Sequence, residues 1–181
     1  MYIIFIMKKI KLISVYVIFI LSFLSHFIYK LFPNTLFSIL FPVNESIWEH
    51  MKLIVTPVLI YMIIEYIIYR KKNITYNNFI LSYSISIIIG IVFYLIIYLP
   101  IHYILGHSLL FAIALLFITF VIIQYISYKI MNYKEIKYNT LIGILMILLI
   151  YILFGIFTYY PPENGLFYDI QSKSYGINKR I

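Results

Sequence analysis

Five long apolar runs constrain this chain of 181 residues more than any other feature of its sequence. A helix needs about 20 apolar residues to cross the hydrocarbon core of a bilayer, and each run reaches that length. The runs are apolar on all sides and lack the alternation of β-strands. We therefore predict an all-α fold, a multi-pass integral membrane helical bundle with about five transmembrane helices. The runs are residues 10–32, 46–69, 79–99, 108–130 and 140–160.

The composition excludes a soluble globular domain. Hydrophobic residues make up 64% of the chain and charged residues 11%, whereas soluble domains average about 45–50% and about 25%. The absence of cysteine excludes disulfides, thiolate metal sites and thiol catalysis. The net charge of +8 comes from short clusters beside apolar runs, which is typical of topology signals. We expect the lipid bilayer as a partner and no nucleic acid, and we leave a small ligand or protein partner open.

The distribution of Lys and Arg predicts the orientation. With a cytoplasmic N-terminus, nine of the fourteen basic residues lie in cytoplasmic segments and five lie outside. The positive-inside rule then predicts a protein of the cell membrane with an extracytoplasmic C-terminus. Residues 1–160 would form the transmembrane bundle, a single domain, and residues 161–181 an extracytoplasmic tail. The nine are Lys8, Lys9, Lys11, Arg70, Lys71, Lys72, Lys129, Lys134 and Lys137, and the five are Lys30, Lys52, Lys173, Lys179 and Arg180.

The other ionisable residues gather on the predicted extracytoplasmic side, which holds all four histidines and four of the six acids. An ionisable group at membrane depth is costly unless it faces protein or a water-filled cavity, so it marks a candidate functional site. We therefore predict that one outward-facing pocket is lined by His26, Glu45, Glu49, His50 and at least one of His102 and His107. The candidate residues are His26, Asn44, Glu45, Glu49, His50, His102 and His107.

The densest polar motif is residues 41–52, which read F-P-V-N-E-S-I-W-E-H-M-K. Ser46 and Glu49 have the spacing of a capping box, so we assign both a structural role at a helix start. Glu49 and Lys52 are three residues apart on a helix and can pair. These assignments leave Asn44, Glu45 and His50 without a structural role.

Imidazole and carboxylate groups suit zinc, so a divalent metal is a candidate cofactor. The candidate ligands are His26, His50, His102 and His107, and they match no local zinc motif such as H-x-x-x-H. A serine nucleophile has no support either, because the chain lacks G-x-S-x-G. The sequence assigns no catalytic residue.

The segment P-V-N-E-S-I-W-E-H at residues 42–50 resembles the signature P-V-N-E-S-x-W-E-H-x-K of an uncharacterised bacterial family of small multi-pass membrane proteins. The resemblance continues at residues 25–29, 102–103, 124–128, 161–162, 166–169 and 175–176. This chain departs from the family at Lys30 and Leu31, where an acidic residue and a tryptophan are usual. The resemblance implies the membrane architecture and marks the same polar residues, but it implies no reaction.

Three functions fit these patterns, and whether the protein is an enzyme stays open. The first, which we expect, is a binding or structural role for the polar cluster. The second is a membrane-embedded metal-dependent hydrolase, with His26, His50 and a loop histidine as ligands and Glu45 or Glu49 as general base. The third is a small transporter, although five helices do not divide into two equal repeats.

Overall fold

The structure is a computed structural model that describes residues 2–106, 108–177 and 179–180. Within these residues, five helical segments are long and apolar enough to cross a membrane: Phe5–Leu31, Ile47–Lys71, Phe79–Leu105, Leu109–Met131 and Asn139–Tyr159. The predicted fold class is therefore confirmed. The helices are α1 (Tyr2–Leu31), α2 (Thr35–Leu40), α3 (Ile47–His50), α4 (Lys52–Lys71), α5 (Phe79–Leu105), α6 (Leu109–Met131) and α7 (Asn139–Tyr159).

Two helix boundaries differ from the predicted runs by more than two residues. The first helix begins at Tyr2, so Lys8 and Lys9 lie inside it and not before it. Helix α5 continues through Pro100 to Leu105. The prediction that this helix ends at residue 99 was therefore wrong. Proline fixes a φ angle that suits a helix and removes one hydrogen bond, which transmembrane helices tolerate.

Four helices surround the interior of the bundle. The first helix packs against α4 and α6, and α5 packs against α4 and α6 from the other side. The last helix packs outside this ring, against α5 and α2. A side chain at Gly143 would place its Cβ 2.7 Å from the backbone nitrogen of Leu81, so a glycine is needed where α7 crosses α5.

The chain beyond α7 folds back onto one end of the bundle, which we call the tail end. Three two-residue strands, β1 (Tyr168–Asp169), β2 (Ser174–Tyr175) and β3 (Lys179–Arg180), form an antiparallel sheet in the order β1-β2-β3. Gly176 has a φ of +55°, and a Cβ there would collide with the carbonyl oxygen of Thr158 at the end of α7. The Phe167 ring packs 5.1 Å from the Trp48 ring. The tail is therefore docked on the helices that carry the polar motif.

Candidate metal centre

A cavity of about 530 Å³ lies near the tail end, between α1, α4, α5 and α6. Its walls are mostly apolar and include Phe23, Leu53, Ile54 and Leu116. Polar groups from α1, the segment before α3, and α3 itself line the same cavity. The cavity thus combines an apolar interior with one polar region, as ligand pockets usually do.

The polar region is formed by His26, Glu45 and His50, which we call the triad. The Nε2 atom of His26 lies 3.4 Å from Oε2 of Glu45, and Nε2 of His50 lies 3.3 Å from the same oxygen. One candidate ligand atom from each residue can be chosen so that all three lie within 4.8 Å of one another. The side chains are 28%, 37% and 31% exposed, so all three remain accessible from the cavity.

The hydrogen bond of His50 to the backbone fixes which ring nitrogen faces Glu45. The Nδ1 atom lies 2.8 Å from the carbonyl oxygen of Ser46, one helical turn earlier. A carbonyl oxygen can only accept, so Nδ1 donates the hydrogen. In a neutral ring Nε2 then presents a lone pair to the Glu45 carboxylate, and two acceptors would face each other. The contact is favourable only with a cation between them, either a proton on His50 or a shared metal ion.

The electrostatics of Glu45 agree with a site for positive charge. The imidazoles of His26 and, next, His50 hold the pKa of the Glu45 carboxyl well below its usual range. Glu45 lies outside the membrane-spanning segments and is charged near neutral pH. The two rings lower this pKa by donating hydrogen bonds to the carboxylate, so a metal ion bound here would take the place of those protons.

Two of the three ligand separations in the triad match a tetrahedral zinc site. In a tetrahedral site with ligands about 2.0–2.1 Å from the metal, neighbouring ligand atoms are about 3.3–3.4 Å apart. The two separations from Glu45 Oε2 have these values. Two histidines and one carboxylate form a known ligand set of catalytic zinc centres. The bond from His50 Nδ1 to Ser46 is the backbone support that metal-ligating histidines usually have.

The tail holds the backbone of Glu45 in place. The backbone amide of Glu45 donates to Oδ2 of Asp169 at 3.2 Å. The same carboxylate accepts from the amide of Gln171 and the hydroxyl of Ser172, and Asp169 is only 2% exposed. The sequence analysis did not include Asp169 in the site. Only the return of the tail onto the motif reveals this contact, since the two residues are 124 positions apart.

Glu49 lies in a different environment from the one that we expected. Its carboxylate is buried and faces Lys52, whose Nζ lies 2.6 Å from Oε2. Thr158 donates to its other oxygen at 2.8 Å, and the amide of Val43 donates to Oε2 at 3.0 Å. Every oxygen of Glu49 is therefore engaged within the protein. The structure does not bring Glu49 to the cavity.

Asn44 and Ser46 organise the same turn without lining the cavity. The side chain of Asn44 donates to the carbonyl of Gly176 at 3.1 Å and accepts from the amide of Ser46 at 2.9 Å. Ser46 is the N-cap of α3, and its hydroxyl accepts from the amide of Glu49 at 3.4 Å. Half of the predicted capping box is present, because the Glu49 side chain binds Val43 and Lys52 and not the amide of Ser46.

Of the two remaining histidine candidates, the structure describes only His102. His102 on α5 lines the cavity and stacks on Tyr98, with the ring centroids 5.4 Å apart. Within the described part of the chain, the group with metal-binding geometry contains the triad and not His102. His107 lies outside the described residues.

A second buried ion pair, at the opposite end of the bundle, was missed by the sequence analysis. Lys11 on α1 lies 2.7 Å from Glu65 on α4, and both are almost fully buried. Tyr83 donates to the same Glu65 oxygen at 2.5 Å, and Lys11 donates to Ser127 at 2.8 Å. The available signal was Glu65 itself, because an acid inside an apolar span needs a partner.

Comparisons with known proteins identify a family and assign no activity. One family model, described as "Family of unknown function (DUF6512)", matches residues 2–177. A search of curated proteins and a search of solved structures each found no match. The expected relationship to an uncharacterised family is thus confirmed, since the match covers nearly the whole chain. The chain belongs to the family of unknown function DUF6512.

Proposed function

We propose that this chain is a membrane-embedded, metal-dependent hydrolase that binds a zinc-type divalent ion through His26, Glu45 and His50. The observation that carries the proposal is the convergence of two imidazole nitrogens and a carboxylate oxygen at the polar end of an apolar cavity. Structural zinc sites are closed by four protein ligands, whereas catalytic sites have three and leave one position open. Among the described residues the group has three members, which favours catalysis over the binding or structural role that the sequence alone favoured.

In the proposed reaction the ion activates a water molecule, and the protein positions the ligands and the substrate. Bound zinc lowers the pKa of a coordinated water to about 7 and polarises a carbonyl group. Ser46 orients His50 through Nδ1, and Asp169 holds the backbone of Glu45. Glu45 would help to hold the ion, and its carboxylate would also be the group that accepts a proton from the water that the ion activates. The apolar walls hold the substrate and limit the access of bulk water.

We place this site on the extracytoplasmic side of the cell membrane. The support is the distribution of Lys and Arg, which favours a cytoplasmic N-terminus. The first helix runs from the N-terminus to the tail end, where the triad lies. A cytoplasmic N-terminus would therefore put the triad outside.

Cobalt titration of the purified protein tests the metal site, because tetrahedral Co²⁺ absorbs visible light. The wild type should bind one equivalent with a tetrahedral spectrum. His26→Gln, Glu45→Gln and His50→Gln should each weaken binding by about tenfold or more, since each removes one ligand. The matched control is His102→Gln, which changes another histidine of the same cavity and should leave the cobalt affinity unchanged. Equal affinities in all five proteins would overturn the site.

Hydrolysis is tested separately, with chromogenic esters and amides and with a chelator as the control. The zinc-loaded wild type should release product, and chelation or Glu45→Gln should abolish the release. Tight cobalt binding without turnover of any ester or amide would contradict the hydrolase and support a metal-binding protein.

A further inference from the structure

The seam between α1 and α6 borders the cavity on the membrane side. Phe23 and Phe27 on α1 and Leu109 on α6 line the cavity, and they are 43%, 55% and 65% exposed on the surface of the bundle. These side chains lie at the boundary of the cavity on its α1–α6 side, and Ile170 of the tail, which is 67% exposed, lies at its boundary near the tail. Phe23 and Phe27 lie within the span Phe5–Leu31, and Leu109 begins the span Leu109–Met131. An entrance between these side chains would face lipid.

The same seam is closed farther from the tail end. The ring of Phe117 on α6 packs 5.1 Å from the ring of Phe19 and 5.7 Å from the ring of Tyr16. Phe23 lies one helical turn beyond Phe19, and Phe27 lies two turns beyond it. The two helices thus make ring contacts in mid-membrane. An entrance to the cavity would lie between these contacts and the tail end. A molecule that uses it comes from the leaflet on the tail side.

The cavity has about the volume of one acyl chain. Its volume of about 530 Å³ holds roughly 18 groups of about 30 Å³, the volume of a water molecule in the liquid, which is close to that of a methylene. Its inner wall includes Ile54, which is fully buried, and Tyr94, which is 6% exposed. The triad lies at the polar end of this volume, near the tail. A chain in the cavity would place its junction with a polar headgroup at the triad.

We infer that the substrate is a single-chain fatty-acyl ester or amide of the surrounding leaflet, which reaches the triad sideways between α1 and α6. This inference rests on the proposed function, since the bond to be cleaved is the one at the triad. Water supplies the oxygen of the new bond to the acyl carbon, and the bond from that carbon to the headgroup oxygen or nitrogen breaks. One water proton goes to the leaving alcohol or amine, and the other remains with the carboxylic acid product or ionises.

Photocrosslinking in phosphatidylcholine vesicles tests the inference, with a lysophosphatidylcholine whose acyl chain carries a diazirine. In the wild type the label should lie on α1 and α6 at cavity-lining positions. Ala112→Phe should lower this labelling at least fivefold, because Ala112 lines the cavity and the larger ring fills it. Ala112→Leu should lower it less. The matched control is Ala114→Phe, which adds the same ring two residues away on the exposed face of α6 and should label like the wild type.

The outcomes separate this inference from the proposed function. Chain binding does not need the metal, so the triple variant His26→Gln, Glu45→Gln, His50→Gln should still be labelled. Equal labelling of Ala112→Phe, Ala112→Leu and Ala114→Phe, or labelling spread evenly over the outer faces, would overturn lateral access even if cobalt binds at the triad. Cavity labelling in a protein that binds no cobalt would instead contradict the hydrolase and leave the chain site standing.

Discussion

Glu45 and Glu49 are four residues apart, and their surroundings give the two carboxylates different roles. Glu45 borders the cavity with two imidazoles beside it, so it is charged and accessible. Glu49 is 1% exposed and is neutralised by Lys52, which is fully buried. A buried pair with every hydrogen bond satisfied holds the fold together but offers no free position for a ligand. At this scale the chemistry of a carboxylate follows from its partners and not from its type.

The Glu49–Lys52 pair predicts a large cost for losing one partner. Lys52→Met should lower the free energy of unfolding in detergent by about 3–5 kcal/mol, because the buried Glu49 charge loses its counterion. Lys52 also donates to the carbonyl of Ser38 and the hydroxyl of Thr158, so these acceptors lose a donor as well. Denaturant titration followed by tryptophan fluorescence measures the change.

The control for this variant is Lys30→Met, at an exposed lysine near the end of α1. It should change the free energy of unfolding by no more than about 0.5 kcal/mol. A Lys52→Met protein as stable as Lys30→Met would contradict the structural role that we give the pair.

At the scale of elements, the triad depends on two segments that are far apart in sequence. The turn before α3 presents Glu45, and the tail strand β1 holds the backbone of that turn through Asp169. The tail itself is fixed by Asn44, which binds the carbonyl of Gly176, and by the amide of Ile177, which donates to the carbonyl of Thr158 on α7. The site is thus assembled by the docking of the tail and is not contained in the motif alone.

Asp169→Asn should weaken metal binding without removing a ligand. The amide retains one oxygen, so either Oδ2, which accepts from Glu45 and Ser172, or Oδ1, which accepts from Gln171, is lost. Either loss weakens the turn that holds this side chain against Glu45. Changes to groups that support metal ligands typically cost about 10–100-fold in affinity. Cobalt titration measures the shift, and Glu135→Gln, the same change at an exposed site between α6 and α7, should show none. Equal affinities in the two variants would show that the tail does not position the triad.

At the scale of the whole molecule, the membrane spans could be predicted because length and hydropathy are local properties of the sequence. The segregation of histidines and acids toward one end also came from the sequence, and it identified the region of the site. The sequence could not predict which acid in that region pairs with which base. Nothing in the spacing of Glu45 and Glu49 distinguishes the one that meets His26 from the one that meets Lys52. The contact between Lys11 and Glu65 was hidden for the same reason, since it joins two helices through tertiary packing.

The orientation in the membrane is a prediction for the whole molecule, and the cysteine-free chain makes it simple to test. Lys173 lies in the tail and Lys134 lies between α6 and α7, and both are exposed at opposite ends of the bundle. In intact cells, a membrane-impermeant maleimide should label Lys173→Cys, and it should label Lys134→Cys only after permeabilisation. The reverse pattern would place the triad on the cytoplasmic side.

The metal content of the purified protein shows whether the triad binds a metal ion. Elemental analysis of the wild type, purified without chelators, should find about one zinc-type divalent ion per chain. The triple variant His26→Gln, Glu45→Gln, His50→Gln should lose this ion while keeping its helical content and its melting temperature within a few degrees. A wild type that carries no stoichiometric metal and takes up none from added zinc, or a triple variant that retains the full amount, would contradict the account.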